Sequence, residues 1–149
     1  MKLNFPDYNF TIKQEQGNAL IFDIIRKKYV RLSPEEWVRQ HVIAWLTSGI
    51  GVPEGLISVE RAFDFNGLRK RFDVCVAGPD AKMQLLVECK APGVKLSGET
   101  LRQAGIYHRT LGVSRIFLSN GIQHIFMRLD PESGLFVQEP ELPPYRDWF

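Results

Sequence analysis

The chain lacks any apolar run approaching the roughly 20 residues that a membrane-spanning helix requires. Its opening segment, MKLNFPDYNF, also lacks the apolar core and small-residue cleavage site of a secretory leader. A cytoplasmic protein without membrane association is therefore expected. Cysteine is scarce: Cys75 and Cys89 are the only two, in no metal-like spacing. That excludes a disulfide framework, argues against structural zinc and predicts reduced core thiols. Charge of one sign is scarce too, since 19 basic residues stand against 17 acidic ones for a net +2, too small an excess to mark a nucleic-acid binder by itself. Repeats, low-complexity tracts and domain-separating linkers are missing as well.

What is there is ordinary for a globular protein: 149 residues, 44% hydrophobic and 24% charged, enough for one domain over 1–149 with a real core. NALIFDII (18–25) reads as a strand, with FTIKQ before it as a hairpin partner. RLSPEEW announces a helix. Ser33 can cap it, Pro34 suits the first helical position, and Glu36 can reach back to the Ser33 amide. Trp37, Val38, His41, Val42, Trp45 and Leu46 then recur at helical spacing until the Gly49/Gly51 region. His41 on that stripe reads as a core residue. LISVERAFDF (56–65) and LRKRFDVCVAG (68–78) form a hairpin about Asn66-Gly67, and MQLLVECKA (83–91) follows as a strand covered on both faces. ETLRQAGIYHRTLG (99–112) reads as a helix, and strands follow at 114–121, 124–130 and 134–140. A helix between the strands at 85 and 116 is a crossover, so those two should lie parallel with a right-handed connection. The expected class is α/β, a mixed sheet flanked by helices. The aromatic tail Tyr145, Trp148 and Phe149 should pack onto the domain.

Against this pattern three charges stand out. Glu88 and Lys90 share one face of the strand LLVECKA, and Asp73 interrupts the apolar alternation of RFDVCV. Ionised groups are expensive to bury unless paired or bound to a cation. If the two strands pair through the turn at 78–82, Asp73 and Glu88 sit side by side, and their repulsion calls for a cation between them. Oxygen ligands without histidine or cysteine partners select Mg2+ or Mn2+ over zinc, and such an ion serves phosphodiester hydrolysis with a nearby lysine. Strand alternation puts Cys75 on Asp73's face and turns Cys89 away from Glu88 and Lys90, so no disulfide should join them.

Asp73, followed fifteen residues later by Glu88-Cys89-Lys90, resembles the motif of the PD-(D/E)XK nuclease superfamily. Gln103 and Tyr107, four residues apart on the next helix, match the Q-x-x-x-Y extension of the nuclease domain at the N-terminus of type I restriction enzyme R subunits. PEEWVRQH, KRFDVCV, VECKAPG and the LSNG strand are similar to that family too, over roughly residues 30–125. Phe72 stands where the family name has proline, and no Walker motif is present, so the ATP-driven translocase of the R subunit is not expected here. The resemblance implies a restriction-endonuclease-like core acting as a stand-alone nuclease domain. It implies that Asp73, Glu88 and the Cys89 carbonyl hold the metal, that Lys90 serves the nucleophile, and that Gln103 and Tyr107 support the phosphate or the lysine. An acidic residue on the first helix completes many such sites. Glu36 is the candidate, with Glu35 second, although capping alone accounts for Glu36; Glu60 is a weaker rival.

The basic groups Arg26-Lys27-Lys28 with Arg31, Arg69-Lys70-Arg71, and Arg102, His108 and Arg109 gain meaning only if they gather around one site. Arg69, Arg71, Arg102 and Arg109 are the candidate phosphate contacts. The leading expectation is a metal-dependent nuclease cutting DNA as a homodimer, because duplex cleavage needs two sites. A nucleic-acid-binding or scaffold protein without catalysis, and an RNA-directed nuclease, are the alternatives.

Overall fold

The computed structural model describes residues 2–65, 67–99, 102 and 112–149. Strands β1 (Ile12–Glu15), β2 (Asn18–Asp23) and β3 (Lys28–Arg31) form a small antiparallel meander. The expected hairpin is present, turned at Gln16 and Gly17, both at positive φ, as a two-residue hairpin loop requires. The third strand was not anticipated: Lys28 and Arg31, taken as part of a basic group, lie in a ladder with Asp23 and Leu20.

Helix α1 (Pro34–Trp45) begins at Ser33, whose side chain accepts from the Glu36 amide. It passes into a π turn over 46–50 and stops at Gly51, φ +85. Its deepest face is Val38, Val42, Ile43 and Leu46. Trp37 and Trp45 are half-buried, with Trp37, His41 and Trp45 meeting the rings of Phe5 and Phe10 from the N-terminal segment. His41 is held as a core residue by its Nδ1 contact to the Trp37 carbonyl at 2.8 Å. Glu36, Arg39 and Gln40, which the periodicity leaves outside the apolar stripe, are buried as well. The helix is covered on nearly every side.

The main sheet has six strands in the order β4 (Ile57–Phe65), β5 (Leu68–Ala77), β6 (Met83–Cys89), β7 (Arg115–Ser119), β8 (His124–Leu129) and β9 (Phe136–Glu139). All neighbours are antiparallel except β6 and β7, which are parallel as expected from an intervening crossover. Of that crossover, Gly98, Glu99 and Arg102 have helical backbone, and the rest of the expected helix lies outside the described residues. The fold is α/β with a mixed sheet. Val74, Val76, Leu85, Val87, Cys89 and Phe117 pack under α1, while Cys75, Leu86, Ile116 and Leu118 fill the opposite face. β6 is thus covered on both faces. The chain's end packs back through Tyr145, whose hydroxyl donates to the Ala77 carbonyl at 3.0 Å, although Phe149 itself is exposed. Among the described residues no helix is long and apolar enough to cross a membrane.

Cys75 and Cys89 are unbonded and lie on opposite faces of the sheet. Burial pushes the Cys75 thiol up to about 12 and the Cys89 thiol well above its ordinary value. Both should resist Ellman's reagent in the native protein and titrate as two thiols after unfolding in urea without reductant. Fast native labelling of either would show that this part of the sheet opens.

Candidate active site

The site forms where β5 and β6 part. Their ladder runs from Val76 opposite Leu85 to Val74 opposite Val87 and stops there, although Asp73 would stand next, opposite Glu88. In place of a backbone acceptor, the Asp73 carboxylate fills the gap: its Oδ2 accepts the Cys89 N–H at 2.8 Å. In a strand the N–H and C=O of one residue point to the same neighbour. The Cys89 carbonyl is therefore turned to the Asp73 side.

On its other side, β5 parts from β4 at the same residue. Val59 pairs with Val74 and Arg61 with Phe72, but the Glu60/Asp73 pair between them is not made, and Glu60 has φ +55. The face alternation breaks here too. Phe72 packs with Cys75, yet Val74 and Val76 lie under α1. This corrects the expectation that Asp73 shares the face of Cys75. A kink turns the Asp73 carboxylate to α1, where its Oδ1 is 3.8 Å from Arg39 Nη2.

Glu88, half-buried, pairs through Oε1 with Lys70 Nζ at 3.1 Å. Burial pushes the Asp73 carboxyl up to about 6 against the pull of the Cys89 amide and Arg39, and the charges of Glu88 and Glu35 push the same way. Lys90 is half-buried directly after β6, its amide donating to the Ser119 carbonyl of β7 at 2.8 Å. Asp73, Glu88, Cys89 and Lys90 thus come together at the end of β6. Gln103, Tyr107 and Arg109 lie outside the described residues.

Glu36 does not reach back to the Ser33 amide. Its Oε1 accepts from Arg26 Nη2 at 2.9 Å, and its Oε2 accepts from Gln40 at 3.0 Å and lies 3.3 Å from Arg39 Nε. Asp23, fully buried, anchors the far end. It caps the turn after β2 through the Ile25 and Arg26 amides and accepts from Arg26 Nε at 2.6 Å and Gln40 at 3.1 Å. Sequence reasoning missed Asp23, Arg26, Arg39, Gln40 and the inward turn of Lys70. Part of the signal stood in PEEWVRQH, where Glu36, Arg39 and Gln40 fall at i, i+3 and i+4 on one helix face.

Among the described residues no three His, Cys, Asp or Glu side chains gather as a ready metal cage. The donors available to a cation are the Asp73 and Glu88 carboxylates and the Cys89 carbonyl. That set suits a hard ion that keeps several waters, as Mg2+ does with one or two carboxylates. The surrounding charge suits a cation also, since among the described residues Asp23, Glu36, Glu60 and Asp73 share Arg26 and Arg39, with Arg71 near Glu60. Of the expected phosphate contacts, Arg69 and Arg71 are exposed on β5, and Arg102 is exposed 3.8 Å from Glu99.

Residues 34–143 match the model of the type I restriction enzyme R protein N terminus, and the chain belongs to that family. Among solved structures it is similar to a fragment assigned to an HsdR subunit of a type I restriction enzyme from Vibrio vulnificus YJ016. The TM-score is 0.54 at 22% identity, over 78% of this chain and 24% of that one. A likeness at that identity speaks for the fold. A comparison with curated proteins finds no match.

A carboxyl raised from 3.8 to about 6 on folding adds stability that is complete below the lower value and lost as pH rises through the upper one. Asp73→Asn keeps an oxygen for the Cys89 amide and abolishes that loss. In chelator the variant should match the native chain near about pH 3 and exceed it by roughly 1–3 kcal/mol at about pH 7. Denaturant melts at the two pH values check this, and a variant equally or less stable at the higher pH would contradict it.

Proposed function

We propose that this chain is a metal-dependent nuclease that hydrolyses phosphodiester bonds in DNA. The observation that carries the reading is the Asp73 carboxylate in the opening between β5 and β6, against the Cys89 amide, with Glu88 next in register and Lys90 just beyond. Membership of the R-protein N-terminal family supports it. Asp73, Glu88 and the Cys89 carbonyl would hold Mg2+ or Mn2+, which when bound polarises a phosphoryl oxygen and acidifies water. Lys90 orients the attacking water and offsets charge on the phosphate. Glu36 belongs to the ion network and positions α1, because both its oxygens are engaged by Arg26, Gln40 and Arg39. Gln103 and Tyr107 support the phosphate or the lysine. Arg69, Arg71, Arg102 and Arg109 serve as backbone contacts, and two copies would place two sites on a duplex.

One observation favours a second reading, a scaffold that has kept the fold without the chemistry: Glu88 already has Lys70, and Asp73 already has Arg39. The two readings part on Glu88→Ala and Lys90→Ala. For a nuclease, Glu88→Ala abolishes the thermal shift produced by Mg2+, whereas Lys90→Ala keeps that shift and loses cleavage by about a hundredfold or more. For a scaffold, Mg2+ has no effect on any form, and Glu88→Ala lowers stability because it strips the half-buried Lys70 of its partner. Cleavage of plasmid, linear duplex, single strand and RNA, with Mg2+, Mn2+ or chelator, identifies the substrate.

Binding gives an independent measurement. Affinity for duplex DNA should fall with added salt, and Arg69→Ala or Arg71→Ala should lower the log–log salt slope by about one each, with melting unchanged. A salt-independent affinity would count against the phosphate track.

A further inference from the structure

Among the described residues, Arg39 is the side chain that meets the helix glutamate, the kinked strand β4 and the site carboxylate at once. It is 7% exposed. Its Nε lies 3.3 Å from Glu36 Oε2, its Nη1 3.2 Å from Glu60 Oε1 and its Nη2 3.8 Å from Asp73 Oδ1. Its buried Nε lies at ion-pair distance from Glu36 without the alignment of a hydrogen bond, and its buried Nη1 meets Glu60 at the margin of one. A buried guanidinium left so is costly. The arrangement is what results when one cation is shared among three carboxylates, with Glu36 and Glu60 held from elsewhere.

Those two are indeed held. Glu36 is held by Arg26 and Gln40, and Arg26 by the fully buried Asp23. Glu60 reaches Arg39, and Arg26 at 3.6 Å, from a left-handed backbone that costs a non-glycine residue about 1 kcal/mol or more. That same kink breaks the β4–β5 ladder at Asp73. Strain at Glu60 therefore coincides with both the freeing of Asp73 and the bracing of Arg39.

We propose that Arg39, braced by Glu36 and Glu60, is a positioning residue for Asp73. The strand amide of Cys89 holds Oδ2 and Arg39 draws Oδ1, so the carboxylate is set from two sides. Arg39 acts through Asp73 and not on the phosphate. The inference rests on the nuclease reading for its catalytic consequence, but the placement of Asp73 is measurable without cleavage.

The direct readout is the Cys89 amide in the 15N-labelled 149-residue chain, with Val87 on the same strand as control and Asp73→Ala as the reference for loss of the bond. In Arg39→Met the Cys89 resonance should move toward its Asp73→Ala position, and its hydrogen exchange should quicken about tenfold relative to Val87. Arg39→Lys should recover part of the protection, and Glu60→Gln should fall between. Where the native chain cleaves DNA, Arg39→Met should lower kcat by about ten- to a hundredfold with KM little changed. An unchanged Cys89 amide, or equal acceleration at Cys89 and Val87, overturns the proposal. Should Arg39→Met fail to fold, Glu60→Gln decides through the same amide. Failure of the native chain to cleave defeats the nuclease reading alone, because the amide measurement still decides the placement.

Discussion

The hydrogen bond from the Cys89 amide to Asp73 closes a place where the sheet would otherwise come apart. β6 is an interior strand, paired with β7 on one side, so an amide left open on its β5 side would be a buried donor without an acceptor. A side-chain carboxylate meets that need without continuing the backbone ladder. The strands can then diverge, and the space they open is lined by oxygen. Stability and charge draw on the same carboxylate: Oδ2 satisfies the sheet, while Oδ1 and the Glu88 carboxylate supply negative charge at the opening.

Such a charge needs balance. Burial alone would drive the Asp73 carboxyl toward its neutral form. The fold answers with a chain of ion pairs that crosses from the small sheet through α1 to β4 and β5, alternating acid and base from Asp23 to Asp73. Its members have few alternative partners inside the protein, which makes the network specific in geometry, whatever its net contribution to stability. It also explains why α1 is buried on a polar side. Glu36, Arg39 and Gln40 are covered because they join the two sheets.

Much of the scaffold was legible because local rules govern it. The Ser33 cap, the hairpin of β1 and β2 and the parallel pairing of β6 with β7 follow from capping, alternation and crossover length. Asp73, Glu88 and Lys90 were legible for a different reason: charges in apolar strands are rare enough to be conspicuous. What stayed hidden was set by tertiary contact. Lys70 sits between two arginines and reads as solvated surface, yet it turns to Glu88. Glu60 reads as a strand residue and a weaker candidate for the site, and only its backbone at positive φ shows the kink that undoes strict alternation at Asp73. Arg39 is indistinguishable in sequence from a polar-face arginine, because its partners lie on other elements.

The match to the R-protein N-terminal family begins at residue 34, so β1 to β3 lie ahead of it. They are not mere decoration on that core. The turn between β2 and β3 supplies Arg26, which neutralises Glu36 and contacts Glu60, and Asp23, which holds Arg26 in place. Without Arg26 the matched region would set Glu36, Glu60 and Asp73 around Arg39, with Arg71 near Glu60, an arrangement in which mutual repulsion favours either protonation or dispersal. The small sheet thus relieves the acidic side of the site from behind and leaves its open side negative. On the proposed nuclease reading a cation would therefore enter at Asp73 and Glu88 and not at Glu36, whose oxygens are already engaged by Arg26, Gln40 and Arg39.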